Sequence, residues 1–164
     1  MTRAQTNVVA DTAARTITVS RVYAAPRERV FRAFTEPEHL ARWWGPEGWQ
    51  IETHAHELAP GGVWHYVLRG PEGMESWSKA TYREVTPPAR LVYSDTFSDA
   101  AGNAVEGMPA MVITIEFAER DGQTTVTSTS QFASEEALRQ VVEMGVAEGI
   151  TETWERLAAY LGGE

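Results

Sequence analysis

Ser134–Leu161 reads SEEALRQVVEMGVAEGITETWERLAAYL and runs into Gly162-Gly163. It is the longest helical pattern in the chain. Leu138, Val141, Val142, Gly145, Gly149, Trp154, Leu157, Ala158 and Leu161 form a broad apolar stripe at helical spacing. Ser134 is placed to cap the first turn, with Glu135 and Glu136 favourable against the helix dipole. Two glycines inside one helix each cost about 1 kcal/mol relative to alanine. The expected compensation is close approach of another element, or space left for something beside the helix.

Almost everything before this stretch reads as strands. Arg15–Tyr23 (RTITVSRVY) alternates, with Ile17, Val19 and Arg21 on one face. Gln50–Leu58, Val63–Arg69, Trp77–Val85, Arg90–Phe97, Ala110–Glu119 and Thr124–Phe132 give six more strands. They are separated by Pro60-Gly61-Gly62, Gly70-Pro71-Glu72-Gly73, Pro87-Pro88, Ser98–Met108 and Asp121-Gly122. Between the first two strands lie two short helical patterns. Pro26 opens one, with Val30, Phe31 and Phe34 on its apolar side. Thr35-Glu36-Pro37-Glu38 has the form of a capping box for the other, which carries Leu40, Trp43 and Trp44 and stops at Gly45-Pro46. Met1–Ala14 is polar and Ala-rich and reads as a flexible leader; residues 15–164 read as one domain. The expected fold is α+β helix-grip: a curved, seven-stranded antiparallel sheet around one long C-terminal helix, with a cavity along the seam.

Composition narrows the function. The 164 residues carry a formal net charge of −9 and no concentrated Lys/Arg run, which disfavours nucleic acid as a partner. With no cysteine there is no disulfide, thiolate metal site or Cys nucleophile. No apolar run approaches membrane-span length and no secretory signal opens the chain, so the expected location is the cytoplasm, without membrane insertion. Six tryptophans supply large apolar walls with polar edges. Trp44, Trp64, Tyr66, Trp77, Tyr82, Met111, Ile113, Met144, Gly149 and Trp154 are the expected cavity lining. Ser128 and Ser130 share the face of Val126 and Phe132. They either orient a ligand in an apolar pocket or pack under the helix glycines. Ser98–Met108 and the helix pair are expected to gate the mouth.

Few residues invite chemistry. Asp95 shares a face with Leu91 and Tyr93. If that face points inward, Asp95 is a buried carboxylate with a raised pKa and a weak candidate general base; otherwise the strand has frayed by that point. Glu52, His54 and His56 alternate on one strand face. They could ligate a divalent metal, although three ligands along one flat strand make a poor site and a solvated outer face is the expectation. His65 reads as solvent-side and His39 as surface. No nucleophile elbow, phosphate loop or metalloprotease motif is present. No metal or cofactor is expected.

The segments RVYAAPRERVFRAFTEPEHLARWWGP, ELAPGGVWHYVLRGPEG, TYREVTPPARLVYSD and MGVAEGITETWERLAAYL resemble bacterial proteins similar to the activator of Hsp90 ATPase. These belong to the START / Bet v 1 / polyketide-cyclase (SRPBCC) superfamily. The resemblance covers roughly Arg15–Leu161 and implies the helix-grip fold. It implies three functions in order: binding of a small hydrophobic or amphipathic molecule, a cyclase- or hydrolase-type enzyme using Asp95, Ser128 or a pocket Tyr, and a co-chaperone of an Hsp90-type ATPase. The fold alone does not choose among them. The family's Glu-Gly-Trp motif reads Glu148-Gly149-Ile150 here, with Trp154 one turn later. A homodimer is expected only on the general frequency of such assemblies.

Overall fold

A computed structural model describes residues 5–108 and 110–162. The expected positions at Met1–Ala4 and Gly163 lie outside the described residues. In chain order the elements are β1 (Asn7–Asp11), β2 (Thr16–Tyr23), α1 (Arg27–Thr35), α2 (Pro37–Trp43), β3 (Gln50–His56), β4 (Val63–Arg69), β5 (Glu75–Thr86), β6 (Arg90–Phe97), β7 (Ala110–Arg120), β8 (Gln123–Phe132), α3 (Glu135–Glu143) and α4 (Val146–Gly162).

The strands form one antiparallel sheet in the order β1-β2-β8-β7-β6-β5-β4-β3. Every described neighbour except the β2/β8 pair is also a neighbour in sequence, as hairpin connections dictate. β2 closes onto β8 with Ile17 opposite Ser130 and Val19 opposite Ser128. The helices lie on one face. That face carries Ile17, Val19, Trp64, Tyr66, Ala80, Tyr82, Leu91, Tyr93, Ile113, Ile115, Phe117, Val126 and Phe132, all buried in the main core. The arrangement is the helix-grip fold. Among the described residues, no helix is long and apolar enough to cross a membrane.

Four local expectations change. Among the described residues the sheet has eight strands, because the stretch read as a leader holds β1, paired residue for residue with β2 from Asn7↔Ser20 to Asp11↔Thr16. Its side chains are mostly exposed, so its sequence lacks the alternation that marks a half-buried strand.

The C-terminal helix is two helices. α3 ends at Glu143 and Gly145 takes φ +81° before α4 begins. A left-handed residue cannot continue a right-handed helix, and glycine is the residue that adopts it without penalty. Ser134 does cap α3, its Oγ accepting from the Ala137 N–H at 3.1 Å.

The capping box at Thr35 does not form. Thr35 lies inside α1 and donates to the Phe31 carbonyl at 2.9 Å, and Glu36 stands at the start of α2 without a side-chain cap bond. Finally, Ser98–Met108 is not a lip. Asp99 Oδ1 accepts from the Ala101 and Asn103 backbone N–H groups at 3.0 and 2.8 Å, and the Asp99 carbonyl meets His65 Nε2 at 3.1 Å. His65 points to the sheet's outer face, so the loop folds over that face, away from the helices.

Candidate functional site: an apolar cavity under the C-terminal helices

Core packing around the helices comes first, because it decides what is left open. Phe34 contacts Trp43, Phe117 and Trp154 edge-on at 4.8, 5.3 and 5.8 Å, locking α1, α2, β7 and α4 together. Tyr23 donates its hydroxyl to the Trp154 carbonyl at 3.1 Å. Arg156 donates to the Gly45 carbonyl at 2.7 Å, and His39 Nδ1 lies 2.7 Å from the Tyr160 hydroxyl. Arg21, sharing the face of Ile17 and Val19, pairs with Glu155 at 2.7 Å. α4 is therefore fixed at several points along its length.

Beside this packed end a cavity of about 350 Å³ remains between the sheet and the α3/α4 junction. Its floor is the inner face of β4 through β8 and β2. Its roof comes from Val141 of α3, from Gly145, and from Val146, Gly149, Ile150, Thr153 and Trp154 of α4; Trp44, Gly45 and Pro46 stand at the end of α2. Of the residues expected to line it, Trp44, Tyr66, Met111, Ile113, Ser128, Ser130, Gly149 and Trp154 do so.

Four do not. Trp77 and Tyr82 are five residues apart on β5, an odd number, so a strand sends them to opposite faces. Trp77 faces outward against His54 and His65, at ring separations of 4.8 and 5.3 Å. Tyr82 faces inward but is sealed in core against Tyr93 and His56. Trp64 is stacked on Tyr66 at 4.3 Å and packed edge-on against Trp44 at 5.0 Å, in the aromatic layer behind the cavity surface. Met144 is 48% exposed, because the chain turns at Gly145 just after it.

The glycines have different reasons. Gly145 supplies the left-handed turn. Gly149 lies in regular helix, where an added Cβ would meet Pro46 Cγ at 3.6 Å, an ordinary contact, so its effect is to leave room along the cavity wall.

The lining also includes residues the sequence reading missed. Ser76 and Ser78 of β5 face inward because they pair with Leu68 and Tyr66 of β4. The signal was available: both are at even spacing from the inward Ala80 and Tyr82. Phe34, Phe97, Ile150 and Thr153 also contribute.

Among the described residues, Asp95 is the one charged residue of the lining. Across the sheet it pairs with Ala80 on one side and Met111 on the other. The strand has not frayed, and the carboxyl points inward beside Tyr93 and Phe97. Oδ1 is fully enclosed and has no hydrogen-bond partner among the described residues. Burial pushes the Asp95 carboxyl up to about 7, and the Thr96 backbone N–H offsets only part of that rise. Burial, and secondarily the Asp95 charge, raises the phenols of Tyr66, Tyr82 and Tyr93 well above their ordinary value, so these hydroxyls stay neutral.

The histidine candidates separate. A β-bulge between Thr53 and Ala55 breaks the alternation of β3. Glu52 and His54 stay outside, with Glu52 Oε1 and His54 Nε2 at 2.8 Å; the Arg69 guanidinium, and then His54, holds the Glu52 carboxyl below its usual range. His56 turns inward, its Nε2 3.1 Å from the Tyr82 hydroxyl, and burial lowers its pKa. The three residues do not converge, and no group of His, Asp and Glu suited to a metal ion occurs among the described residues.

Comparison with known proteins agrees with this geometry. The protein-family profile described as "Activator of Hsp90 ATPase homolog 1-like protein" matches residues 24–162. Among solved structures, protein Ms6760 from Mycobacterium smegmatis is 31% identical, with 97% of each chain covered and a TM-score of 0.89. A protein from Arthrobacter aurescens is 29% identical over 96% of this chain and 92% of that one, with a TM-score of 0.91. A Staphylococcus epidermidis protein is 34% identical over 91% and 90%, with a TM-score of 0.80. No curated protein sequence matches. Profile, fold and cavity placement lead to one conclusion: the chain belongs to the activator of Hsp90 ATPase homolog 1-like family.

Proposed function

We propose that this protein binds one small, mainly apolar molecule in the cavity between its sheet and the α3/α4 junction. The observation that carries this reading is the cavity itself. A concave space of about 350 Å³ walled by Trp44, Tyr66, Tyr93, Phe97, Met111 and Trp154 leaves apolar surface without packing partners. A few polar groups converge on it, namely Asp95 and the serines at 76, 78, 128 and 130. Apolar walls with sparse, placed polar groups are the usual make-up of a small-molecule site.

The test is titration with the neutral dye N-phenyl-1-naphthylamine, read by quenching of tryptophan emission. Saturable one-to-one binding is expected. Ser130→Leu, which fills the floor, is expected to weaken it about ten-fold or more while leaving the fold intact by circular dichroism. Absence of saturable binding to the wild type, or equal binding by the variant, would overturn the reading.

One observation favours a second reading, acid–base catalysis on a molecule held in the same place. Asp95 lines the cavity, and burial pushes its carboxyl up to about 7. Under that reading Asp95→Asn abolishes turnover of a substrate but leaves the dye titration unchanged.

A further inference from the structure

We propose that the cavity selects a cationic amphiphile, an ammonium group on an aromatic or alkyl body, with Asp95 as the counter-ion to its head. The inference rests on the binding function proposed above and adds the chemical class of the ligand.

Charge at the lining comes first. No Lys, Arg or His lines the cavity among the described residues, and Asp95 is the acidic group there. A fatty acid or another anion would therefore meet one carboxylate and no cationic side chain to neutralise it. The feature of opposite sign is the N-terminal end of α4 at Val146. Glu148 sits in that first turn, with Oε2 3.7 Å from the place a Cβ on Gly145 would occupy, and so answers the helix dipole from within the chain.

Hydrogen bonding comes second. Asp95 lines the cavity; its Oδ1 is enclosed and has no partner among the described residues, and its neighbours across the sheet, Ala80 and Met111, have no side-chain donor to offer. Buried polar atoms are nearly always satisfied, and an unsatisfied one calls for a partner that is brought in. An ionised carboxylate only accepts. An ammonium brings three donors and a compensating charge; an alcohol brings one donor and none.

The walls come third. Trp44, Tyr66, Tyr93, Phe97 and Trp154 present aromatic rings to the same space. Aromatic faces attract a desolvated cation, and they also pack an aromatic body. A carboxyl raised to about 7 by its apolar setting is one that an adjacent cation returns to the ionised form.

The experiment uses three probes of one shape: 2-(1-naphthyl)ethylamine, 2-(1-naphthyl)ethanol and 1-naphthylacetate, titrated by calorimetry at pH 7.5 into the full chain. The expected order is amine tighter than alcohol by about ten-fold or more, and acid weakest. In Asp95→Asn the amine is expected to lose about ten-fold while the alcohol stays within about two-fold. Equal binding of amine and alcohol by the wild type, or tightest binding of the acid, would overturn the inference whether or not the variant folds. An amine preference that survives in Asp95→Asn would overturn the role of Asp95. If none of the three probes binds, the inference falls; the neutral-dye titration then decides independently whether the cavity reading falls with it.

Discussion

Asp95 ties the ionisation of one side chain to the stability of the whole molecule. Its carboxyl has an ordinary value near 3.8 when unfolded and about 7 in the fold. Between those values the native state holds a proton that the unfolded chain has released. This contribution to stability is therefore fully present below about pH 4, falls as pH rises, and levels off above about pH 7. Its upper bound is about 4 kcal/mol. Asp95→Asn removes the ionisation, so the difference in Tm between variant and wild type should be small at pH 4, should favour the variant increasingly up to about pH 7, and should level off toward pH 8. Thermal melts across that range check it; a difference that does not vary with pH would mean that the carboxyl is not desolvated. The sequence supplied half of this. Alternation placed Asp95 with Leu91 and Tyr93. What it could not supply was whether β6 stays regular to Phe97, which depends on the pairing of Asp95 with Ala80 and Met111.

At the scale of elements, the instructive disagreement is at Gly145. The apolar stripe from Leu138 to Leu161 is continuous enough to read as one helix, because both helices bury residues toward the same sheet. A pattern of burial reports which side faces the core and is blind to a single left-handed residue. The two geometries predict opposite signs for one substitution. In an unbroken helix Gly145→Ala would stabilise by about 1 kcal/mol. At φ +81°, with nothing closer than Glu148 Oε2 at 3.7 Å, it should destabilise by about 1 kcal/mol through backbone strain alone. Urea unfolding decides between them. The bulge at His54 carries the same lesson for strands. Period two gives the correct face along β2, β4, β6, β7 and β8, yet one extra residue in β3 moved His56 inward, away from Glu52 and His54, and a second shift between Tyr82 and Glu84 interrupts β5.

At the scale of the whole molecule, the order of elements was readable from end to end, apart from β1. That strand hides because it buries little: its value is in backbone pairing with β2 and in the Thr6 Oγ1 hydrogen bond to Glu155 at 2.6 Å. Removing residues 1–11 should leave the core folded and cost little in Tm. It should also free the edge of β2 and promote association, seen as a concentration-dependent shift in size-exclusion elution. The cavity was legible only in outline. Its existence followed from one helical layer on one curved sheet, but its walls depend on which aromatics are sealed within the packing, as Trp64 and Tyr82 are, and which keep one side toward the open space, as Trp44 and Trp154 do.

The break at Gly145 divides the roof into parts held very differently. α4 is fastened by Tyr23, Arg21, His39 and its own Arg156, whereas α3 keeps its cap at Ser134 and sinks Leu138 and Val141 into the core. Local opening follows the number of such fastenings. In deuterium exchange the amides of α3 should therefore turn over well before those of α4. The slower of the two clocks would be that of α4, and the faster that of α3.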